Sequence, residues 1–161
     1  MSLPTTRSAA LLLICIAIPL AIGIIGSVLT VPEITGWYAG LHKPAFNPPS
    51  WIFGPVWTLL YILMGIALWL VVTDAAEGWP VRLAELLFAA QLIANLGWSI
   101  LFFSMHLLFV ALIEVIFLFV LIAATLFAFR RINNTAGWLL APYLCWTGFA
   151  SILTAMIWLL N

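Results

Sequence analysis

Hydrophobic positions fall in five long blocks, at roughly 8–29, 51–73, 82–103, 109–129 and 138–160. A helix needs about 20 mainly apolar residues to cross a bilayer, and each block meets that length. Inside the blocks the apolar residues do not alternate with polar ones, so the short strands of a transmembrane β-barrel are excluded. The pattern predicts an all-α integral membrane protein, a single domain over 1–161 built as a bundle of five transmembrane helices. The first block follows Arg7 and superficially looks like a signal peptide. Its apolar run exceeds the usual length of about 7–15 residues, and no small-x-small cleavage site follows, so it reads as a retained helix.

The polar interruptions define the connections. Blocks two to five are joined by about five to eight residues, which predicts antiparallel neighbours. The stretch 30–50 is longer and carries Pro32, Pro44, Pro48 and Pro49. Long loops in compact proteins are usually functional or disordered. Trp37, Tyr38 and Phe46 favour a loop that packs against the bundle. Ser50 is placed to cap the second helix. Pro19, Pro55 and Pro142 lie inside blocks, where each removes a backbone donor and favours a kink. Gly23 and Gly26 in the first block read as a site of close helix packing.

Composition sharpens the class. The chain is 66% hydrophobic and only 6% charged, with five Lys/Arg, five Asp/Glu and no net charge. A soluble domain carries about a quarter charged residues, so a soluble fold is excluded, and so is a disordered chain. The lack of a basic face argues against nucleic acid as a partner. Arg7, Arg82, Arg130 and Arg131 fall on one side of the five-span arrangement and Lys43 on the other. The positive-inside rule then favours a cell-membrane protein with a cytoplasmic N-terminus, an outer-membrane location being the alternative. Arg130 and Arg131 also suit the carbonyl-rich end of the fourth helix. Cys15 and Cys145 lie inside spans and are expected as free thiols.

Aromatic residues are abundant, with nine Trp, eleven Phe and three Tyr. Trp37, Trp51, Trp79, Trp138 and Trp158 lie near block ends, where indoles anchor membrane boundaries. Trp57, Trp98 and Trp146 lie further in, while Trp69 has no assignment. Phe53, Trp57 and Tyr61 share one helix face, as do Gln91, Asn95 and Ser99, and again Tyr143, Trp146 and Ala150. Such stripes either fill the bundle or line a cavity for a large flat apolar ligand. Amides facing lipid are costly, so Gln91 and Asn95 are expected to face inward, as helix–helix glue or as ligand contacts.

The titratable groups offer fewer leads. Glu114 lies about a turn inside the fourth block and raises the alternatives of a proton relay or a structurally paired acid. Glu85 lies near water. His42 and His106 could each ligate a haem iron, but an isolated surface histidine is more often simply solvated. No metal-ligand cluster, nucleophile–base pair or phosphate loop appears in the sequence.

The long loop reads Trp37-Tyr38-Ala39-Gly40-Leu41-His42-Lys43-Pro44-Ala45-Phe46-Asn47-Pro48-Pro49-Ser50-Trp51. It resembles the signature W-Y-x-x-L-x-K-P-x-x-x-P-P-x-W of the TspO/MBR family. These are the tryptophan-rich sensory proteins related to the mitochondrial translocator protein. The likeness continues through Gly54-Pro55-Val56-Trp57-Thr58, Tyr61, Gln91, Asn95, Trp98-Ser99, Glu114, Pro142-Tyr143, Trp146 and Ala150. It implies a five-helix bundle, usually a homodimer, that binds porphyrins, haem and related tetrapyrroles inside the bundle under the first loop. Synthetic benzodiazepine-type and isoquinoline ligands are further binders by this resemblance, and no resident cofactor is implied. Carried over by motif, Tyr38, Trp57, Asn95, Trp98, Ser99, Trp146 and Ala150 take pocket positions. Some bacterial members are similar to light-driven catalysts of protoporphyrin degradation, which would make Trp57 and Trp146 catalytic. A proton-coupled exporter using Glu114 is the third reading.

Two departures from the family pattern stand out. Leu153-Thr154 replaces a common Leu-Asn. Ala155 stands where animal members have Tyr, and no Lys or Arg follows, which puts a high-affinity cholesterol role in doubt.

Overall fold

The computed structural model describes residues 6–74 and 78–161, with side chains from Ser8 onward. The side chain of Arg7, part of the charge argument above, lies outside them, as do residues 75–77 of the second connection. Among the described residues seven α-helices form: α1 Thr6–Thr35, α2 Trp37–Gly40, α3 Phe53–Asp74, α4 Trp79–Ser99, α5 Leu108–Ile132, α6 Asn134–Leu139 and α7 Ala141–Leu160. A 3₁₀ turn, Ser50–Ile52, leads into α3, and a π turn, Ile100–Ser104, ends α4. No strand occurs among the described residues. Five segments are long and apolar enough to span a membrane: Ser8–Thr35, Ser50–Asp74, Trp79–Ser104, Leu108–Ile132 and Asn134–Leu160. The chain is a multi-pass integral membrane protein.

The helices close into a ring. α1 packs on α3 and α4, α4 on α5, α5 on α6 and α7, and α6 returns to α3. Glycine lets two helix backbones meet: a methyl at Gly65 of α3 would overlap the Ile16 Cα and stand 2.8 Å from the Cys15 carbonyl oxygen of α1. Gly23 meets the Tyr61 ring and Gly26 lies near Ser99 Oγ, as expected for close packing. Cys15 is buried and Cys145 exposed, both as free thiols.

Several boundaries differ from expectation. α1 runs to Thr35 rather than ending near 29, through Pro32. The remaining loop is therefore short, and it is further occupied by α2. Val31 and Ile34 on this extra length join the wall of an internal cavity, and that packing outweighs the one donor lost at Pro32. The connections after α4 and α5 are also shorter than five residues, because the π turn and α6 extend the helices into them. Ser50 caps nothing: the cap position before the 3₁₀ turn is Pro49, whose carbonyl accepts Ile52 N–H at 3.0 Å.

The fifth span is broken at Leu140, where α6 hands over to α7. Pro142 lies in the first turn of α7, where its missing N–H has no partner to lose. The break matters for the site. α6 lies against α3, whereas α7 reaches α3 through rings: Phe53 against Trp146, centroids 5.9 Å apart, and Trp57 against Tyr143, 6.0 Å apart.

Candidate functional site

The space that opens between α1, α3, α4 and α7 is a cavity of about 410 Å³. It lies at the end of the bundle covered by α2 and the loop. A pocket of this volume falls in the range of small-molecule sites, about 300–1,000 Å³. The seven residues marked out by motif, Tyr38, Trp57, Asn95, Trp98, Ser99, Trp146 and Ala150, all stand in its wall.

Each element contributes a distinct surface. α3 presents Phe53, Trp57 and Tyr61, the stripe seen in the sequence. α7 presents Trp146, Phe149, Ala150, Leu153, Thr154 and Ile157. α4 supplies Asn95, Trp98 and Ser99, and its terminal π turn adds Phe102 and Phe103. A π turn widens the helix by one residue, so two successive rings can face inward. Both are buried, 4.8 Å apart and edge-on, with Trp98 stacked on Phe102 at 5.2 Å. α1 contributes a small-residue face that includes Gly23, Gly26, Ser27 and Thr30. Among the described residues, no Asp, Glu, Lys, Arg or His is in the wall.

Asn95 is the polar hub of the site. The Tyr61 hydroxyl donates to its Oδ1 at 2.7 Å, and its Nδ2 donates to the Tyr143 hydroxyl at 3.1 Å. One amide on α4 therefore ties α3 to α7. The Trp57 ring is held between the same two tyrosines, stacked on Tyr61 at 5.5 Å and edge-on to Tyr143. The indole N–H groups of Trp98 and Trp146 are buried without a protein acceptor.

The lid closes on itself. Tyr38 donates to Asn47 Oδ1 at 2.8 Å, and Asn47 Nδ2 donates to the Pro48 carbonyl. Burial pushes the Tyr38 phenol above its ordinary pKa, an effect partly offset by the Asn47 amide. Lys43 Nζ donates to the carbonyls of Tyr38, Ala39 and Leu41 at 2.7, 3.2 and 2.9 Å, which satisfies the C-terminus of α2. It also sits 4.8 Å from the Tyr38 ring centroid. The Asn161 side chain pairs with both backbone groups of His42, each at 2.9 Å, and so joins the end of α7 to the loop. Trp37 stacks on His106 at 4.0 Å, and His106 pairs with Glu33 at 3.2 Å. His106 turns the chain with φ 57°, a left-handed conformation uncommon for a residue with a side chain.

Other candidates lie elsewhere. Neither His42 nor His106 is in the cavity wall. Gln91 is 1% exposed and faces α3, where its Nε2 lies 3.7 Å from Met64 Sδ. Glu114 is also absent from the wall. It points at Gly97 between α5 and α4, and both its carboxyl oxygens are buried without a partner. Trp51, assigned to the boundary, is 73% exposed and also edges the cavity mouth. Trp37 is a lid residue packed on His106 and Phe102 rather than a free anchor. Trp69 packs against the core.

Phe102 stands beside the polar stripe of the third block, and Phe102-Phe103 and Phe149 fit the family pattern, but none of them, nor the α1 face, was expected as a pocket position. A signal for α1 was present: Leu20, Gly23, Ser27, Thr30 and Ile34 recur at helical spacing and share one face. The π turn left none, since a one-residue widening does not alter hydrophobic periodicity enough to be read.

These features define a five-span membrane protein with a lidded aromatic cavity inside the bundle. The TspO/MBR family model matches residues 15–159, and the chain belongs to that family. It is 43% identical to the tryptophan-rich protein TspO of Chlorobaculum tepidum, over 93% of this chain and 95% of the relative. It is 35% identical to the human translocator protein, over 83% and 80%. Identity to the tryptophan-rich sensory protein of Cereibacter sphaeroides is 38%, over 71% and 70%.

Proposed function

We propose that the protein is a membrane receptor or sensor whose cavity binds a tetrapyrrole such as protoporphyrin or haem. One observation carries this reading: a 410 Å³ cavity walled by four indoles and several phenyl rings, with no charged side chain from the described residues in the wall. A flat conjugated ring gains from burial and from offset or edge-on contacts of about 0.5–1.5 kcal/mol per aromatic pair. Asn95 spends its amide largely on two tyrosines, so recognition rests on ring shape more than on hydrogen bonds. Carboxylate substituents of such a ligand belong at the mouth, near Ser50, Gly54 and Thr58, where water or headgroups can solvate them.

Protoporphyrin titration tests the reading through quenching of tryptophan fluorescence. Saturable quenching is expected, weakened about tenfold or more by Trp146→Ala and unchanged by Trp79→Phe, since Trp79 stands outside the wall at 71% exposure. Linear, unsaturable quenching in parent and variants alike would sink it.

A second reading, light-dependent porphyrin degradation, is favoured by the position of Trp57 and Trp146. Both indoles stand in the wall where a bound photosensitiser would touch them, and indole is readily oxidised. Under illumination with oxygen, the parent should then bleach protoporphyrin faster than protein-free controls. Equal bleaching by Trp57→Phe and Trp146→Phe would dismiss a catalytic role. The exporter reading finds less support, because Glu114 lies off the cavity.

A further inference from the structure

The end of the bundle opposite the lid carries Arg82 near the start of α4 and Arg130 and Arg131 in the last turn of α5. The one ion pair among the described residues is Glu33–His106, at the other end, so none of these three arginines pairs with a described carboxylate. Arg130 differs from the other two in being held in place. Its side chain crosses the backbone of α6 at Gly137, where a methyl would overlap Arg130 Cγ and lie 2.8 Å from its Cβ. Its guanidinium carbon stands 4.7 Å from the Trp138 ring centroid, and its Nε donates to Asn134 Oδ1 at 3.3 Å. Among the described residues, Asp74 is an acid of this corner, and it is hydrogen-bonded to the Asn133 amide. Glu85 is exposed on α4.

Stacking and the Nε bond fix the plane of the Arg130 guanidinium and leave its two terminal nitrogens uncommitted. Trp138 is 56% exposed, and an exposed indole at the end of a span sits at headgroup depth. The free guanidinium edge is therefore at the level of lipid phosphates, with exposed Arg131 beside it. A planar fork of donors matches a phosphate in bidentate fashion. A zwitterionic headgroup brings its own cation into this positive corner, whereas an anionic one does not.

We propose that Arg130, Arg131 and Trp138 form a binding site for the phosphate of an anionic phospholipid. Each basic residue near an anionic surface contributes about 1 kcal/mol, or roughly a fivefold change in association. Full-length protein in nanodiscs of phosphatidylcholine, with and without phosphatidylglycerol, provides the test. Retained phosphatidylglycerol is counted by native mass spectrometry. Retention should fall about fivefold in Arg130→Gln and further in the double Arg130→Gln/Arg131→Gln variant. Arg130→Lys should lose most of the preference despite keeping its charge, because the fork is gone. Gly137→Ala should lose it too, with both arginines intact.

Arg82→Gln is the control for diffuse charge. If it costs as much as Arg130→Gln, or if Arg130→Lys retains phosphatidylglycerol like the parent, the site is refuted. Displacement of the lipid by millimolar inorganic phosphate would also refute it, in favour of a free-anion site. The Arg130→Lys comparison keeps the proposal decidable should Gly137→Ala fail to fold.

Discussion

Replacing Asn95 by Leu should damage stability and ring recognition together. The substitution removes the acceptor of the Tyr61 hydroxyl and the donor to the Tyr143 hydroxyl, in a region where Tyr61 is buried and Tyr143 is 1% exposed. A buried polar group left unpaired costs about 1–3 kcal/mol in water-soluble proteins. Interhelical hydrogen bonds in membranes average about 0.6 kcal/mol with a maximum near 1.7. Two such bonds put the expected loss at about 1–3 kcal/mol. The Trp57 ring loses its two fixed neighbours at the same time, so protoporphyrin affinity should fall although Asn95 itself spends little of its amide on a ligand. Equilibrium unfolding in mixed micelles measures the first effect and fluorescence titration the second. The decisive comparison is a Tyr61→Phe/Tyr143→Phe background. With both phenols gone, Asn95→Leu should be neutral or stabilising, because no hydroxyl is then orphaned. An equal loss in both backgrounds would refute the network and leave only a change in packing.

Three further outcomes follow from the geometry. Gly65→Ala should destabilise by about 1–3 kcal/mol in the same unfolding assay, since the added methyl meets the backbone of α1 at Ile16 and Cys15; Gly54→Ala, with nothing within 4 Å, should cost nothing. Lys43→Met removes three hydrogen bonds to the end of α2, and a local loss of about 1–2 kcal/mol predicts amide exchange at 37–41 faster by about 5–30-fold. The Tyr38 phenol holds its proton more tightly when folded than when unfolded, so its contribution is present at neutral pH and lost as pH climbs above about 10; in a pH series of thermal melts, Tyr38→Phe should flatten that alkaline decline.

The spans were legible because lipid permits few solutions. Backbone groups in hydrocarbon must pair within a helix, so five apolar blocks translate directly into five crossings. The stripes on α3, α4 and α7 were legible for a related reason, since amides and large rings cannot be placed against lipid at random. What escaped was decided by packing between segments distant in the chain. Pro32 signalled a break in α1, yet Val31 and Ile34 had a cavity wall to complete, and the helix continued. Pro142 signalled a kink, and a break occurs two residues earlier, at Leu140, because proline is accommodated in a first turn. Depth alone left Glu114 open between a proton relay and a structural acid; it faces the bare backbone of Gly97, outside the cavity wall.

The cavity itself follows from that break in the fifth span. α6 lies against α3, and after Leu140 the chain resumes as α7 with a ring-width gap to the same helix. Phe53, Trp57, Tyr143 and Trp146 bridge the gap edge-on, and edge-on rings leave wedges of space that aliphatic side chains would close. Asn95 then prevents collapse by tying the two separated helices to α4 at a fixed distance. The large aromatic content is therefore not only a means of filling a bundle or anchoring it in a bilayer. Four rings and one amide hold two helices apart, and the space they maintain is an aromatic-walled cavity of about 410 Å³.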